Sequence, residues 1–369
     1  MTWAELHAKS ESLAIEASLA QRNRDAVSAQ ELFRQAARFE KQALEALDSS
    51  KVRTRGITAV STVALWFKSG EYVQAELVAH SALSDVTIPE FARQELRNLV
   101  QAIWTETTKQ TAGVEFVPGQ VLVSVKGGEV VTGGAPLDLI VDKVQTIQAM
   151  FYRTIEFLNG VSHRRVGRPT KELQESCRPW LFQSVPGSYQ FSVGIQKPAQ
   201  SDFFKADVEP ERIAQHFLEI VGASTTDDDG ESLEKLVPDE AYRNTFLKLA
   251  RNLAPTGKSF DRIELTASGD SRPIALSMEN RKSINQRLNS KTSDAGESPQ
   301  EVTDLRGVLR AVHLDKDWLE VAVDGSHVLV NGLEDAVDDI IGPMVNRAVV
   351  VKAIAHGKKY KYVDIELAE

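Results

Sequence analysis

The sequence predicts an α+β protein of several domains: a helical array, a central α+β domain and a small C-terminal β-barrel. Three observations carry that expectation. Apolar residues recur at helical spacing through residues 1–107, strand-like alternation appears among further helices after Gln110, and alternation dominates beyond a polar stretch at 289–302. A chain of 369 residues, 42% hydrophobic and 26% charged, has the composition of a globular protein with length for two or three cores. The boundaries drawn are 1–107 for the helices, 108–288 for the centre, 289–302 for a linker and 303–369 for the barrel.

The first helix is expected from Thr2 to Ala20 on Leu6, Leu13, Ala17 and Ala20. A second opens near Ser28, capped by its hydroxyl with Glu31 as capping-box partner, and carries Phe33, Ala36, Phe39, Ala43 and Leu44. Ser49-Ser50 and the basic Lys51, Arg53 and Arg55 break it. A third helix runs through Ile57, Val63 and Trp66 to a stop at Gly70, and a fourth through Tyr72, Ala75, Ala79 and Ala82. The fifth follows Pro89, which suits an early helical position.

In the centre, Val121, Val123 and Val125, then Gly127-Gly128, then Val130-Val131 read as a β-hairpin. A helix from Pro136 to Leu158 closes at Asn159-Gly160, and a short one spans Thr170 to Cys177. Residues 181–195 read as two strands about a Pro-Gly turn. Helices at 209–221 and 239–253, strands at 260–267 and 272–277, and a helix to Leu288 complete the domain. The tail offers strands at Leu305–Leu314, Trp318–Val323 and His327–Val330, an acidic helix at Leu333–Ile341, and strands at Arg347–Ala355 and Tyr360–Leu367. Three strands, a helix and two strands is the order of an OB fold, so the module is expected to be OB-like or, among other small barrels, SH3-like.

Residues 64–83, Ala-Leu-Trp-Phe-Lys-Ser-Gly-Glu-Tyr-Val-Gln-Ala-Glu-Leu-Val-Ala-His-Ser-Ala-Leu, resemble a tetratricopeptide repeat (TPR). Trp66 precedes the turn, Gly70-Glu71-Tyr72 forms it, and Ala75 and Ala82 stand seven apart. An earlier, degenerate copy places Phe33, Ala36, Ala43 and Leu44 39 residues before Tyr72, Ala75, Ala82 and Leu83. The resemblance implies stacked helix pairs that present a concave groove to a helix or an extended peptide.

Charge argues against nucleic acid as the main partner of any one domain. Lys plus Arg number 43 against 52 Asp plus Glu, for a net charge of −9, and each of the three pieces is itself net acidic. The single cysteine, Cys177, precludes an internal disulfide and a cysteine-rich zinc site. The N-terminus lacks a signal peptide's basic and apolar regions, and no apolar run suits a membrane, so a reducing, prokaryote-like cytoplasm is expected.

Chemical motifs are sparse. Pro255-Thr-Gly-Lys-Ser259 lacks the first glycine of a phosphate-binding loop, which would stand at Asn252, and follows a helical segment instead of a strand. Asp227-Asp-Asp-Gly-Glu231 lacks the alternating ligands of a calcium loop. The seven histidines are dispersed, and none pairs with Cys177 in a nucleophile motif. An enzyme in the central domain would have to gather Asp138, Arg153, Glu156 and Tyr189, which no spacing brings together. His163-Arg-Arg-Val-Gly-Arg-Pro169 partly resembles an AT-hook core, with Val166 where its first arginine belongs. Lys358-Lys-Tyr-Lys-Tyr362 mixes cations with rings, as single-strand binders do.

The expectation is a non-enzymatic scaffold that binds a partner protein through its helical N-terminus, without cofactor or metal. Lys51, Arg53, Arg55, Trp66 and Tyr72 are the candidate contact residues, and the central domain could support a homo-oligomer. The alternative is a nucleic-acid-associated regulatory or bacterial defence-type factor using Arg164, Arg165, Arg168, Lys358, Lys359, Tyr360 and Lys361.

Overall fold

The computed structural model describes the chain except residues 24, 113–115, 117–119, 132–133, 183–188, 198–211, 227–229, 268–272, 294–301, 334–336, 358 and 369. The chain divides into two compact units. One is Met1–Glu115 with Phe182–Gly187; the other comprises Phe116–Leu181 and Ser188–Glu369.

The first unit is a run of five helices: α1 (Trp3–Arg22), α2 (Ala26–Glu45), α3 (Val52–Lys68), α4 (Tyr72–Ser84) and α5 (Glu90–Thr111). Each packs on its neighbour in sequence, and α3 also meets α5. The core is built largely from small residues, with Ala17, Ala36, Ala37, Ala75, Ala79 and Ala92 around Phe33, Val63, Leu96 and Ile103. Small side chains let helix axes approach closely. At Gly56 an added Cβ would lie 3.0 Å from the Ala92 Cβ, so α3 meets α5 nearly backbone to side chain.

Two helix boundaries correct the sequence expectation. Helix α2 begins at Ala26, because Asp25 and not Ser28 is its cap: the Ser28 amide donates to Asp25 Oδ1 at 3.1 Å. The basic stretch does not separate helices. Lys51 is the N-cap of α3, and Arg53 and Arg55 belong to its first turns. The stop at Gly70 holds: with φ at +77° it lets the Glu71 amide reach Trp66 O and its own amide reach Phe67 O, a Schellman closure that a side chain would strain.

In the second unit β1 (Val121–Lys126) is followed by α6 (Leu137–Leu158), α7 (Lys171–Ser176), β2 (Pro179–Phe182), β3 (Tyr189–Ile195), α8 (Ile213–Thr226), α9 (Glu231–Leu236), α10 (Glu240–Leu253), β4 (Arg262–Ala267), β5 (Ile274–Ser277) and α11 (Met278–Ser293). The strands form one sheet in the order β2-β3-β1-β4-β5. Helix α8 lies against the sheet, with α6, α10 and α11 packed on it, and Phe151 stacks on Phe217 at 4.0 Å.

The hairpin expected at 121–131 does not form. Both edges of β1 are taken by sequence-distant strands, with Val123 opposite Phe191 of β3 on one side and Leu265 of β4 on the other. Gly127 and Gly128 serve a different need. The chain crosses segment 259–261 there, with Glu129 N donating to Ser259 O and Asp261 N to Lys126 O, each at 2.9 Å. A Cβ on Gly128 would lie 2.5 Å from Ser259 O.

Of the stretch expected as a linker, residues up to Ser293 belong to α11, Val302 opens the next strand, and 294–301 lie outside the described residues. Beyond them come β6 (Val302–His313), β7 (Trp318–Val323), β8 (Ser326–Asn331), α12 (Asp338–Ile341), a single 3-10 turn, β9 (Ala348–His356) and β10 (Lys359–Leu367). These strands close into a barrel in the cyclic order β10-β8-β7-β6-β9, with β8 and β10 parallel. Leu309, Leu319, Val321, Val330, Val349 and Val351 fill its interior.

Within this unit, ion pairs fasten the barrel to the helices that pack on the sheet. Fully buried Arg251 of α10 pairs with Asp364 of β10 and donates to Ile365 O at 2.7 Å. Arg281 of α11 meets Glu366 at 2.8 Å, and Arg347 meets Asp142 of α6 at 2.6 Å.

Candidate functional site

The first unit carries a groove between α2, α3 and α4 that encloses about 490 Å³. Its apolar lining comes from Leu44 of α2, Ala59 of α3, Leu77, Val78 and Ala82 of α4, and Ile88 beyond. Lys41, Glu45, Arg55 and Asp85 bring both signs of charge to it. Leu77 is 60% exposed, and Val73, one turn earlier on α4, is 70% exposed. These two side chains stand outside the stripe that α4 buries through Ala75 and Ala79.

Of the sequence-nominated contacts, Arg55 alone lines this groove. Its Nη1 donates to Leu47 O at 3.1 Å and its Nη2 stands 3.6 Å from Asp85, so it ties the start of α3 to the end of α4. Lys51 and Arg53 are exposed at the N-terminus of α3. Trp66 is turned into the core. Tyr72 is half-buried with its ring 5.6 Å from that of Phe67, and burial, then the nearby Glu106 carboxylate, raise its hydroxyl pKa. The missed residues are the apolar ones. Leu77, apolar yet off the stripe that α4 buries through Ala75 and Ala79, was the signal in the sequence that could have found them.

The second cluster is electrostatic and lies between α6, loop 161–169 and α12. Arg153, fully buried, pairs with Asp339 at 2.7 Å and stands 3.6 Å from Glu156. Arg164 bridges Glu156 at 2.7 Å and Asp339 at 2.8 Å. Burial disfavours the Arg164 charge, but Asp339 and Glu156 outweigh it and hold its pKa above the ordinary arginine value. His163 rests edge-on against Tyr242 and bonds Thr245 Oγ1 at 2.9 Å; burial, then Arg153, push its imidazole below the usual histidine range. Burial also raises the Tyr242 hydroxyl, which donates to Val161 O at 2.9 Å.

Arg164 is thus engaged inside the protein. Arg165 Nη2 donates to Leu314 O at 2.9 Å and stands 3.8 Å from Asp317, while Arg168 is exposed. Lys359 and Lys361 are exposed on β10, Tyr360 is half-buried against the core, and Lys358 lies outside the described residues.

The residues considered for an enzyme do not assemble. Arg153 and Glu156 share the charged cluster, but exposed Asp138 stands 15 residues before Arg153 on the same helix, about 22 Å away at 1.5 Å per residue, and the Tyr189 ring lies by Phe191. Among the described residues no group of three or more His, Cys, Asp or Glu could hold a metal ion, and no helix is long and apolar enough to cross a membrane. Asp227–Asp229 of the acidic run lie outside the described residues. Pro255–Ser259 is a loop between α10 and β4, where Ser259 O serves as an acceptor for Glu129.

No protein-family model, curated protein or solved structure matches this chain.

Proposed function

We propose that this chain is a non-enzymatic interaction protein whose N-terminal helices form a TPR-like array and hold a segment of a partner protein in the α2–α4 groove. The groove carries the reading: an apolar floor, open to solvent and flanked by charges of both signs, suits a short amphipathic or extended segment. The Schellman turn at Gly70 and the alanine contacts of α3 and α4 support the TPR-like assignment. For the tail we propose an OB-like barrel. Its strand order, the parallel pairing of its third and fifth strands, and α12 between the third and fourth support that choice over an SH3-like one.

The test uses the full chain. A photo-crosslinking residue at Leu77 should join one partner polypeptide at reproducible stoichiometry, and Ala82→Trp, which fills the groove, should abolish the product. The exposed surface change Lys235→Glu, remote in sequence on α9, should leave it intact. Equal crosslinking by the Ala82→Trp chain would overturn the reading.

A further inference from the structure

The two basic patches that stand about 190 residues apart in sequence meet at one end of the barrel. Arg165 reaches Leu314 O and approaches Asp317 in the β6–β7 turn. Asp317 in turn accepts the Gly332 amide, at 3.2 Å through its carbonyl and 3.1 Å through Oδ2. Gly332 packs on Lys361, whose Cγ lies 3.1 Å from where a glycine Cβ would stand. Arg168 follows Gly167, whose amide faces Asp338 at 3.4 Å, while Arg165 O accepts the Asp338 amide at 3.0 Å.

Strand register adds an aromatic to these cations. Trp318 pairs with Asn331, and Asn331 with Lys361. Leu319 and Val321 point into the barrel, so Trp318 points out, half-buried, with the His313 ring 6.0 Å away. At about 4.8 Å per strand, Trp318 and Lys361 stand roughly 10 Å apart on one face. Lys316, Lys359, Lys361 and Arg168 are all exposed, and no ion pair to them is found among the described residues. Of the acids here, Asp317 and Asp338 are turned to backbone amides, Glu320, two residues from Trp318 on the same outward face, is bonded to His327, and Asp315 is exposed.

We infer that this composite end of the barrel binds single-stranded nucleic acid, with an unpaired base stacked on Trp318 and phosphates held by Lys359, Lys361, Lys316 and Arg168. Duplex bases are already stacked on each other and offer no free face to a lone indole, whereas an unpaired base does. The docked loop makes the site, because neither basic patch alone combines a ring with cations from two sides. This inference is independent of the helical groove, which lies in the other unit.

The test is fluorescence anisotropy of the full chain with labelled oligothymidylate, oligouridylate and a duplex of equal length. At about 50 mM salt both single strands should bind more tightly than the duplex, and comparison of the two separates DNA from RNA as the source. With about four phosphates engaged, log K should fall against log salt with a slope near −3. Changing Lys359 and Lys361 together to Glu should reduce that slope by about 1.4 or more. Trp318→Ala should weaken binding about tenfold at unchanged slope, and Trp318→Tyr should restore it, which separates stacking from folding. Absence of binding at low salt, preference for the duplex, or indifference to both Trp318→Ala and the lysine changes would overturn the inference. So would equal competition by polyglutamate, which would assign the patch to an acidic polypeptide.

Discussion

Replacing Arg251 by Met should destabilise the second unit by about 3–5 kcal/mol, the cost of leaving a buried charge without its partner. The guanidinium is fully buried, and it meets both Asp364 oxygens, Ile365 O at 2.7 Å and Asn285 Oδ1 at 3.3 Å. Met fills much of the volume but supplies no donor. Asp364, itself 6% exposed, would retain Lys248 at 3.9 Å, which moderates the loss toward the lower figure. At about 2–4 °C per kcal/mol for a unit of this size, the melting temperature should drop by roughly 6–20 °C. Urea unfolding followed by tryptophan fluorescence gives the free energy. Adding Asp364→Leu should recover part of it, because a pair removed whole leaves no stranded charge. Burial pushes the Asp364 carboxyl up, but Arg251 and Lys248 outweigh it and hold it below its ordinary 3.8. The pair's contribution is therefore present above that pH and lost as pH falls through the lower folded value, and Arg251→Met should flatten this acid limb. A single-variant cost under about 1 kcal/mol, or a double variant less stable than the single one, would refute the reasoning.

Three further outcomes follow from the same structure. Gly56→Leu drives a side chain into Ala92 and Pro89, and should cost about 1–3 kcal/mol in calorimetric unfolding of the helical unit. Asp25→Ala removes the acceptor that caps α2 through the Ser28 amide, and should cost about 0.5–2 kcal/mol by the same measurement. His163 faces Arg153, Arg164, Asp239, Asp339, Tyr242 and Thr245, and its pKa in the folded state is lowered from 6.5. Above pH 6.5 both states leave it neutral; below, the unfolded chain takes up a proton that the folded one resists, so stability falls with acidification. His163→Gln should reduce that fall between pH 6.5 and 5, read as the difference between two urea series.

The order of the elements, helices first and strands mixed with helices after them, was legible because helical and strand periodicity are local properties, repeated over many residues. The caps were less so: Ser28 and Asp25 both suit an N-cap, and only the geometry shows which oxygen meets the amide. Gly127-Gly128 illustrates a further limit. Two glycines announce a turn, but whether they serve a hairpin or a close chain crossing depends on Ser259, more than 130 residues later. The groove was half visible: α4 was identified from Tyr72, Ala75, Ala79 and Ala82, while Leu77, which lines the groove from the same helix, was not singled out.

By itself the amino-acid order determined most of the helices and strands, the close alanine packing around α3 and α4, and the alternation that fills a small barrel. Only the tertiary structure decided the use of the charges. Arg164 and Arg165 are adjacent in sequence, yet one closes an internal cluster with Glu156 and Asp339 while the other reaches the β6–β7 turn beside Trp318. The physical reason is range. Periodicity acts over a few residues and is written in neighbours, whereas a charge takes its role from whatever lies within about 4 Å of it, and folding brings those groups from anywhere in the chain.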